Sequence, residues 1–76
     1  MKYSNGKKIR LGDNVIWQGS DPIKGIVVSL IDENIFLDDY DYTYLSSQGG
    51  GVMIKFEKIG LVHIQRDDNI DFLIKI

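Results

Sequence analysis

The sequence predicts an all-β domain, a small antiparallel barrel of five to six short strands with one long acidic loop. Apolar residues alternate with polar ones in several runs, which is the period of a strand with one buried face. Clusters of Gly, Asn, Asp and Ser separate these runs, and such clusters favour turns. The chain has no amphipathic helix of useful length, and closure into a barrel would remove exposed sheet edges.

We expect the rest of the domain to pack onto a hairpin within residues 9–30. Val15 and Trp17 lie on one side of the first extended run, and Ile26 and Val28 lie on one side of the second. The turn between the runs includes Pro22, which has no amide donor and suits a loop. With the strands described next, the predicted core is Val15, Trp17, Ile26, Val28, Ile54, Phe56 and Phe72.

Four further runs complete the predicted barrel. Residues 8–11 can form a short strand, residues 52–56 alternate clearly, and residues 61–66 return after a tight turn. A last strand is predicted over residues 70–76. In this strand Ile70, Phe72, Ile74 and Ile76 alternate with Asp71, Leu73 and Lys75, and Phe72 is the member assigned to the core.

The long segment of residues 32–48 breaks the strand alternation. A loop of this length in so small a domain is usually functional or disordered, and its aromatic residues argue against disorder. Residues 42–48 could form one helical turn ending at Gly49, where glycine suits a left-handed cap. A short strand through Tyr40, Tyr42 and Tyr44 is the alternative.

Composition indicates one domain over residues 1–76 with an unevenly distributed charge. The hydrophobic fraction of 43% is ordinary for a globular protein. The net charge is −2, but residues 1–31 sum to +3 and residues 32–42 sum to −5. The chain has no cysteine, no signal-peptide core and no apolar run of membrane-spanning length, so we expect a cytoplasmic protein without disulfides or a membrane segment.

The sequence offers little for catalysis, cofactors or metals. His63 is the only histidine, and we expect it at the surface or a sheet edge rather than in an active site. The acidic residues lack the order of an EF-hand, and no Gly-Lys-Ser/Thr follows the three glycines at 49–51. Nucleic-acid binding is also not expected, because the pI of about 5.1 does not suit a basic binding face. We therefore predict a binding protein that is not an enzyme and needs no cofactor.

The acidic tyrosine segment, defined here as residues 32–44, is the candidate partner-binding site. Tyrosine is enriched at protein interfaces, and neighbouring carboxylates attract a basic partner. The alternative is a solvated loop whose tyrosines cover one end of the barrel. The candidate residues are Asp32, Glu33, Asp38, Asp39, Tyr40, Asp41, Tyr42 and Tyr44.

Short motifs along most of the chain form a recognisable pattern: Tyr3-Ser-Asn-Gly6, Leu11-Gly-Asp-Asn-Val15, Lys24-Gly-Ile-Val-Val28, Tyr44-Leu45, Gly51-Val-Met-Ile-Lys-Phe56 and Gly60-Leu-Val-His63. This pattern resembles small bacterial proteins with an SH3-like barrel, some of which are immunity proteins of polymorphic-toxin and contact-dependent growth-inhibition systems. The resemblance implies a protein that binds and neutralises a cognate toxin without catalysis. Many such toxins are nucleases with a basic cleft. An SH3-like module for another protein or peptide is the second interpretation, and an RNA-binding barrel is the third.

Overall fold

Six short strands and two 3-10 helices account for the regular structure of the computed structural model, which describes all of residues 1–76. No helix is long and apolar enough to cross a membrane. The strands are β1 (Asn14–Trp17), β2 (Ile23–Leu30), β3 (Ile35–Phe36), β4 (Val52–Phe56), β5 (Gly60–Ile64) and β6 (Leu73–Lys75), and the 3-10 helices are η1 (Ile31–Glu33) and η2 (Thr43–Gln48).

All strand pairs are antiparallel, and the sheet order is β5-β4-β2-β1-β6, with β3 on the edge of β2. Strand β1 pairs with β2 on one side and with the last strand, β6, on the other. The sheet therefore brings the end of the chain back beside its first strand and curves around one core. This arrangement confirms the predicted all-β fold of six short strands in a small barrel.

The core contains most of the residues that the alternation predicts. Val15, Ile54 and Phe56 are buried, as expected from their spacing. Trp17 and Phe72 are only partly buried at the core's edge, where their ring centroids lie 5.0 Å apart. The core cluster consists of Tyr3, Ile9, Val15, Val27, Leu30, Val52, Ile54, Phe56, Ile64, Ile70 and Leu73.

The predicted facing of β2 is wrong at Ile26, whereas Val28 is buried as predicted. Val27 belongs to the core cluster, whereas Ile26 is only half-buried and Val28 is buried outside that cluster. Gly25 shares the core side, because a Cβ there would lie 2.6 Å from the Phe56 ring. A β-bulge between Val27 and Ser29 then changes the alternation, so that the end of the strand faces the core again.

The predicted facing of the last strand is also wrong. Leu73 is fully buried, whereas Ile74 and Ile76 remain 40% and 57% exposed. The reason is a turn in which the Leu73 amide donates to the Ile70 carbonyl. This turn lets both Ile70 and Leu73 reach the core, three residues apart, and shortens the strand to three residues.

The first thirteen residues contribute more to the core than their turn-rich sequence suggests. Tyr3 and Ile9 are buried, although the predicted strand over residues 8–11 is reduced to a single bridge between Lys2 and Lys8. The Tyr3 hydroxyl donates to Asp13 Oδ2 over 2.6 Å. Burial raises the pKa of the Tyr3 hydroxyl above its ordinary value, and the hydrogen bond to Asp13 raises it further.

Candidate partner-binding surface

The acidic tyrosine segment leaves β2 and crosses over that strand toward β4. Strand β3 pairs with the end of β2, and the Leu37 amide then donates to the Val28 carbonyl. Farther along, the Tyr40 hydroxyl accepts a 3.1 Å hydrogen bond from Lys55 Nζ, which also lies 5.7 Å from the centre of the tyrosine ring. Lys55 points away from the core, because its neighbours on both sides of β4 point into it. The segment therefore covers part of the sheet's outer face.

Asp32 joins the start of this segment to the residue just before β4 and to a residue shortly after β5. Its carboxylate accepts bonds from Arg66 Nε at 3.1 Å, from Arg66 Nη2 at 2.6 Å and from the Gly51 amide at 3.1 Å. The hydrogen bonds from Arg66, and then the one from Gly51, hold the pKa of Asp32 below its usual value. Asp32 is thus occupied within the protein, and we assign it a structural role.

Three glycines follow η2, a few residues beyond the end of the segment, and let the chain pack closely against β5. Gly49 ends η2 in the left-handed conformation, with φ of 96°, so the predicted helical turn and glycine cap are confirmed. A Cβ at Gly50 would overlap the Asp32 carboxylate, and a Cβ at Gly51 would overlap a backbone oxygen of β5. The His63 Nε2–H donates to the Gly50 carbonyl over 2.7 Å. The chain is therefore anchored at Asp32, where the segment begins, and again at residues 49–51, shortly after the segment ends.

Two further candidate carboxylates are also engaged within the protein. Glu33 forms a 2.7 Å ion pair with Lys8. Asp41 accepts from the Thr43 hydroxyl at 2.7 Å and from the Thr43 amide at 3.0 Å, just before η2 begins. The hydrogen bond from the Thr43 hydroxyl has the larger effect in lowering the pKa of Asp41, and the bond from the Thr43 amide lowers it further. A partner would have to compete with them to bind either carboxylate.

Asp38 and Asp39 are the two candidate carboxylates without an internal partner. Both residues are exposed, and neither side chain makes a hydrogen bond or ion pair with the rest of the chain. They occupy a turn in which Asp39 has a φ of 69° and the Tyr40 amide donates to the Leu37 carbonyl. The turn therefore presents two adjacent negative charges to solvent.

The tyrosines differ in how far they are exposed. Tyr40 and Tyr42 are half-buried, whereas Tyr44 is 65% exposed with its ring 6.3 Å from that of Tyr42. Ile35 and Phe36 in β3 are 45% and 40% exposed as well. These two residues are not among the predicted binding residues, although an Ile-Phe-Leu run within an acidic loop is a usable signal. The segment thus offers exposed apolar side chains as well as charge.

A separate shallow groove lies on the sheet near the chain's end. It has a volume of about 330 Å³ and is bordered by charged side chains from β2, β4 and the turn after β4. Its apolar floor includes Ile26 and Ile76, neither of which was selected from the sequence as a binding residue. The lining is Asn14, Lys24, Gly25, Ile26, Lys55, Phe56, Glu57 and Ile76.

The side chains that could support catalysis or hold a metal are scattered. His63 is half-buried, and its Nε2 is occupied by the Gly50 carbonyl. No three carboxylate or histidine side chains come together in a group that could hold a metal ion. No known protein family, curated protein or solved structure matches this chain.

Proposed function

We propose that this protein is an immunity protein that binds one bacterial toxin in the cytoplasm and neutralises it without catalysis. The observation that supports this most directly is that the carboxylates of Asp38 and Asp39 are exposed and have no internal partner. They lie in a turn between the two anchored parts of the chain, Asp32 and residues 49–51. The resemblance of the sequence motifs to SH3-like immunity proteins gives the class of partner. A nuclease toxin would provide a complementary basic cleft.

The geometry suits recognition because charge and apolar area lie in one continuous stretch of chain. Asp38 and Asp39 would steer a basic partner and raise the association rate. Tyr44, with its ring largely exposed, would bury area and offer a hydroxyl for hydrogen bonding. The bonds that Asp32 makes would hold this stretch in place, so little ordering would be lost on binding.

The second candidate is an SH3-like module that binds an extended peptide. The shallow groove over Ile26 and Ile76 favours it, because small apolar grooves with a few polar groups are usual ligand sites. Lys24 and Lys55 at the border of this groove would favour a peptide that carries acidic residues. The two candidates therefore bind partners of opposite charge, at neighbouring surfaces that meet at Lys55, which borders the groove and donates to Tyr40.

A growth-protection assay separates the candidates. Cells would express the toxin domain encoded directly upstream together with the parent protein, Asp38→Asn/Asp39→Asn, or the matched control Asp21→Asn/Asp71→Asn. We expect protection by the parent and the control, and weaker protection by the first variant. A third variant, Ile26→Gln, tests the groove.

Three results would contradict the proposal. The upstream gene could encode no toxin, the parent could fail to protect, or Asp38→Asn/Asp39→Asn could protect as fully as the parent. Loss of protection with Ile26→Gln alone, in a protein whose melting temperature is unchanged, would favour the peptide-binding module.

A further inference from the structure

Four of the nine basic residues line one groove at the side of the fold formed by the chain's beginning and its last strand. The groove has a volume of about 460 Å³ and contains no apolar side chain. Lys7, Lys8 and Arg10 come from the first loop, and Lys75 comes from β6. Asp13 is the one acidic residue in the lining. A protein of net charge −2 thus has a concave surface of strongly positive local charge.

The two carboxylates near this groove are already engaged. Asp13 accepts from the Tyr3 hydroxyl at 2.6 Å and from the Arg10 amide at 3.0 Å through the same oxygen. Glu33, which does not line the groove, forms an ion pair with Lys8, which does. Neither carboxylate forms an ion pair with the remaining three cations, Lys7, Arg10 and Lys75, which have no acidic partner in the chain.

We propose that this groove is an anion site for the phosphate groups of a small polyphosphate. Clefts lined by one sign of charge raise the local concentration of oppositely charged ligands. Arginine binds phosphate oxygens through paired donors, and lysine binds them as a point charge. The groove would hold roughly fifteen water molecules at about 30 Å³ each, so it has room for more than one phosphate group.

The lining also indicates which phosphate source fits. No aromatic or aliphatic side chain faces the groove, so a nucleobase would find nothing to stack on. A long nucleic-acid strand would in addition meet the exposed Asp38 and Asp39 and the net negative charge of the protein. The site should therefore bind a short polyphosphate chain, free or on a nucleotide, through its phosphates alone.

Titration with inorganic tripolyphosphate, followed by amide NMR shifts and calorimetry, tests this site. We expect saturable shifts confined to residues 7–13 and 75, and equal affinity for a nucleoside triphosphate. Arg10→Gln/Lys75→Gln should weaken binding by about tenfold or more. The matched control Lys24→Gln/Lys58→Gln, which removes two exposed charges elsewhere, should change the affinity by no more than about twofold.

Several outcomes would overturn the proposal. These are the absence of saturable shifts, shifts spread over all lysines, or equal weakening by the two double variants. Tighter binding of a short oligothymidylate than of tripolyphosphate would assign the groove to a nucleic-acid backbone instead. Both double variants keep the core intact, and a thermal melt of each would show that lost binding is not lost folding.

Discussion

Replacing Asp32 by Asn tests whether this carboxylate anchors the acidic tyrosine segment rather than binding a partner. The substitution preserves size and leaves one carbonyl oxygen as an acceptor, but it removes the charge. Arg66 would lose its paired contact, and the bond from the Gly51 amide would no longer be charge-assisted. The free energy of unfolding should therefore fall.

The structure limits the size of this loss. The Asp32 and Arg66 side chains are 30% and 54% exposed, so solvent screens their attraction, and such pairs contribute about 0.5–1 kcal/mol. Weakening the bond to Gly51 adds about 0.5 kcal/mol. A loss of about 1 kcal/mol lowers the melting temperature of a domain of this size by about 4–8 °C.

The pH dependence gives a second, independent signature. Because the pKa of Asp32 is lowered in the folded state, its contribution is fully present above the unfolded pKa of about 3.9. That contribution is lost as the pH falls through the folded pKa. The difference in unfolding free energy between the parent and Asp32→Asn should therefore be present at pH 7 and shrink in acid.

Urea unfolding at neutral and acidic pH measures both effects. Asp38→Asn is the matched control, since it makes the same chemical change where the carboxylate has no partner, and we expect no loss of stability from it. Equal stability of Asp32→Asn and the parent at pH 7 would refute the anchoring role. A difference that persists unchanged at acidic pH would refute its electrostatic cause.

Three further predictions concern packing and the histidine. Gly51→Ala should lower the free energy of unfolding by at least about 3 kcal/mol, because Gly51 has a positive φ and an added Cβ would overlap the backbone. Gly60→Ala should lower it by only about 1 kcal/mol, because Gly60 has a similar φ but open space around it. Equal losses for the two variants in chemical denaturation would contradict the overlap at Gly51. Trp17→Ala should cost about 3 kcal/mol, and a loss under about 1 kcal/mol in the same assay would place the indole outside the core. His63→Ala should lower the free energy of unfolding by about 1 kcal/mol, because the hydrogen bond to the Gly50 carbonyl is lost. The variant should still protect cells as the parent does. A folded variant that gives no protection would instead place His63 in the interface or in catalysis.

The parts of the fold that follow from local sequence were predictable. Val52, Ile54 and Phe56 alternate within one regular strand, and all three are buried. Gly49 ends η2 in the left-handed conformation that a glycine after a short helix favours. In each case, residues within a few positions decide the geometry.

The facing of β2 and β6 could not be predicted, because small irregularities reverse the alternation. The bulge after Val27 and the turn before Leu73 each shift which side chains reach the core. Both depend on packing against strands that lie elsewhere in the sequence. Periodicity locates a strand more securely than it assigns the strand's buried face.

The division of the acidic residues was likewise hidden in the sequence. Asp32 and Arg66 are 34 positions apart, and only the fold brings them together. Asp38, with the same side chain and a similar acidic neighbourhood, remains free. Charge density therefore located the candidate segment, but long-range contacts decide which of its carboxylates a partner could bind.

The association kinetics of Asp38→Asn/Asp39→Asn test the central claim most directly. The proposed partner would be a toxin domain encoded by the neighbouring gene. The control is Asp21→Asn/Asp71→Asn, and the association rate is measured at low and high salt. If the two aspartates face a basic surface, the rate at low salt should fall by about five- to tenfold and depend less on salt, while the control matches the parent. If the variant binds as fast and as tightly as the parent at both salt concentrations, the acidic turn is not part of the interface.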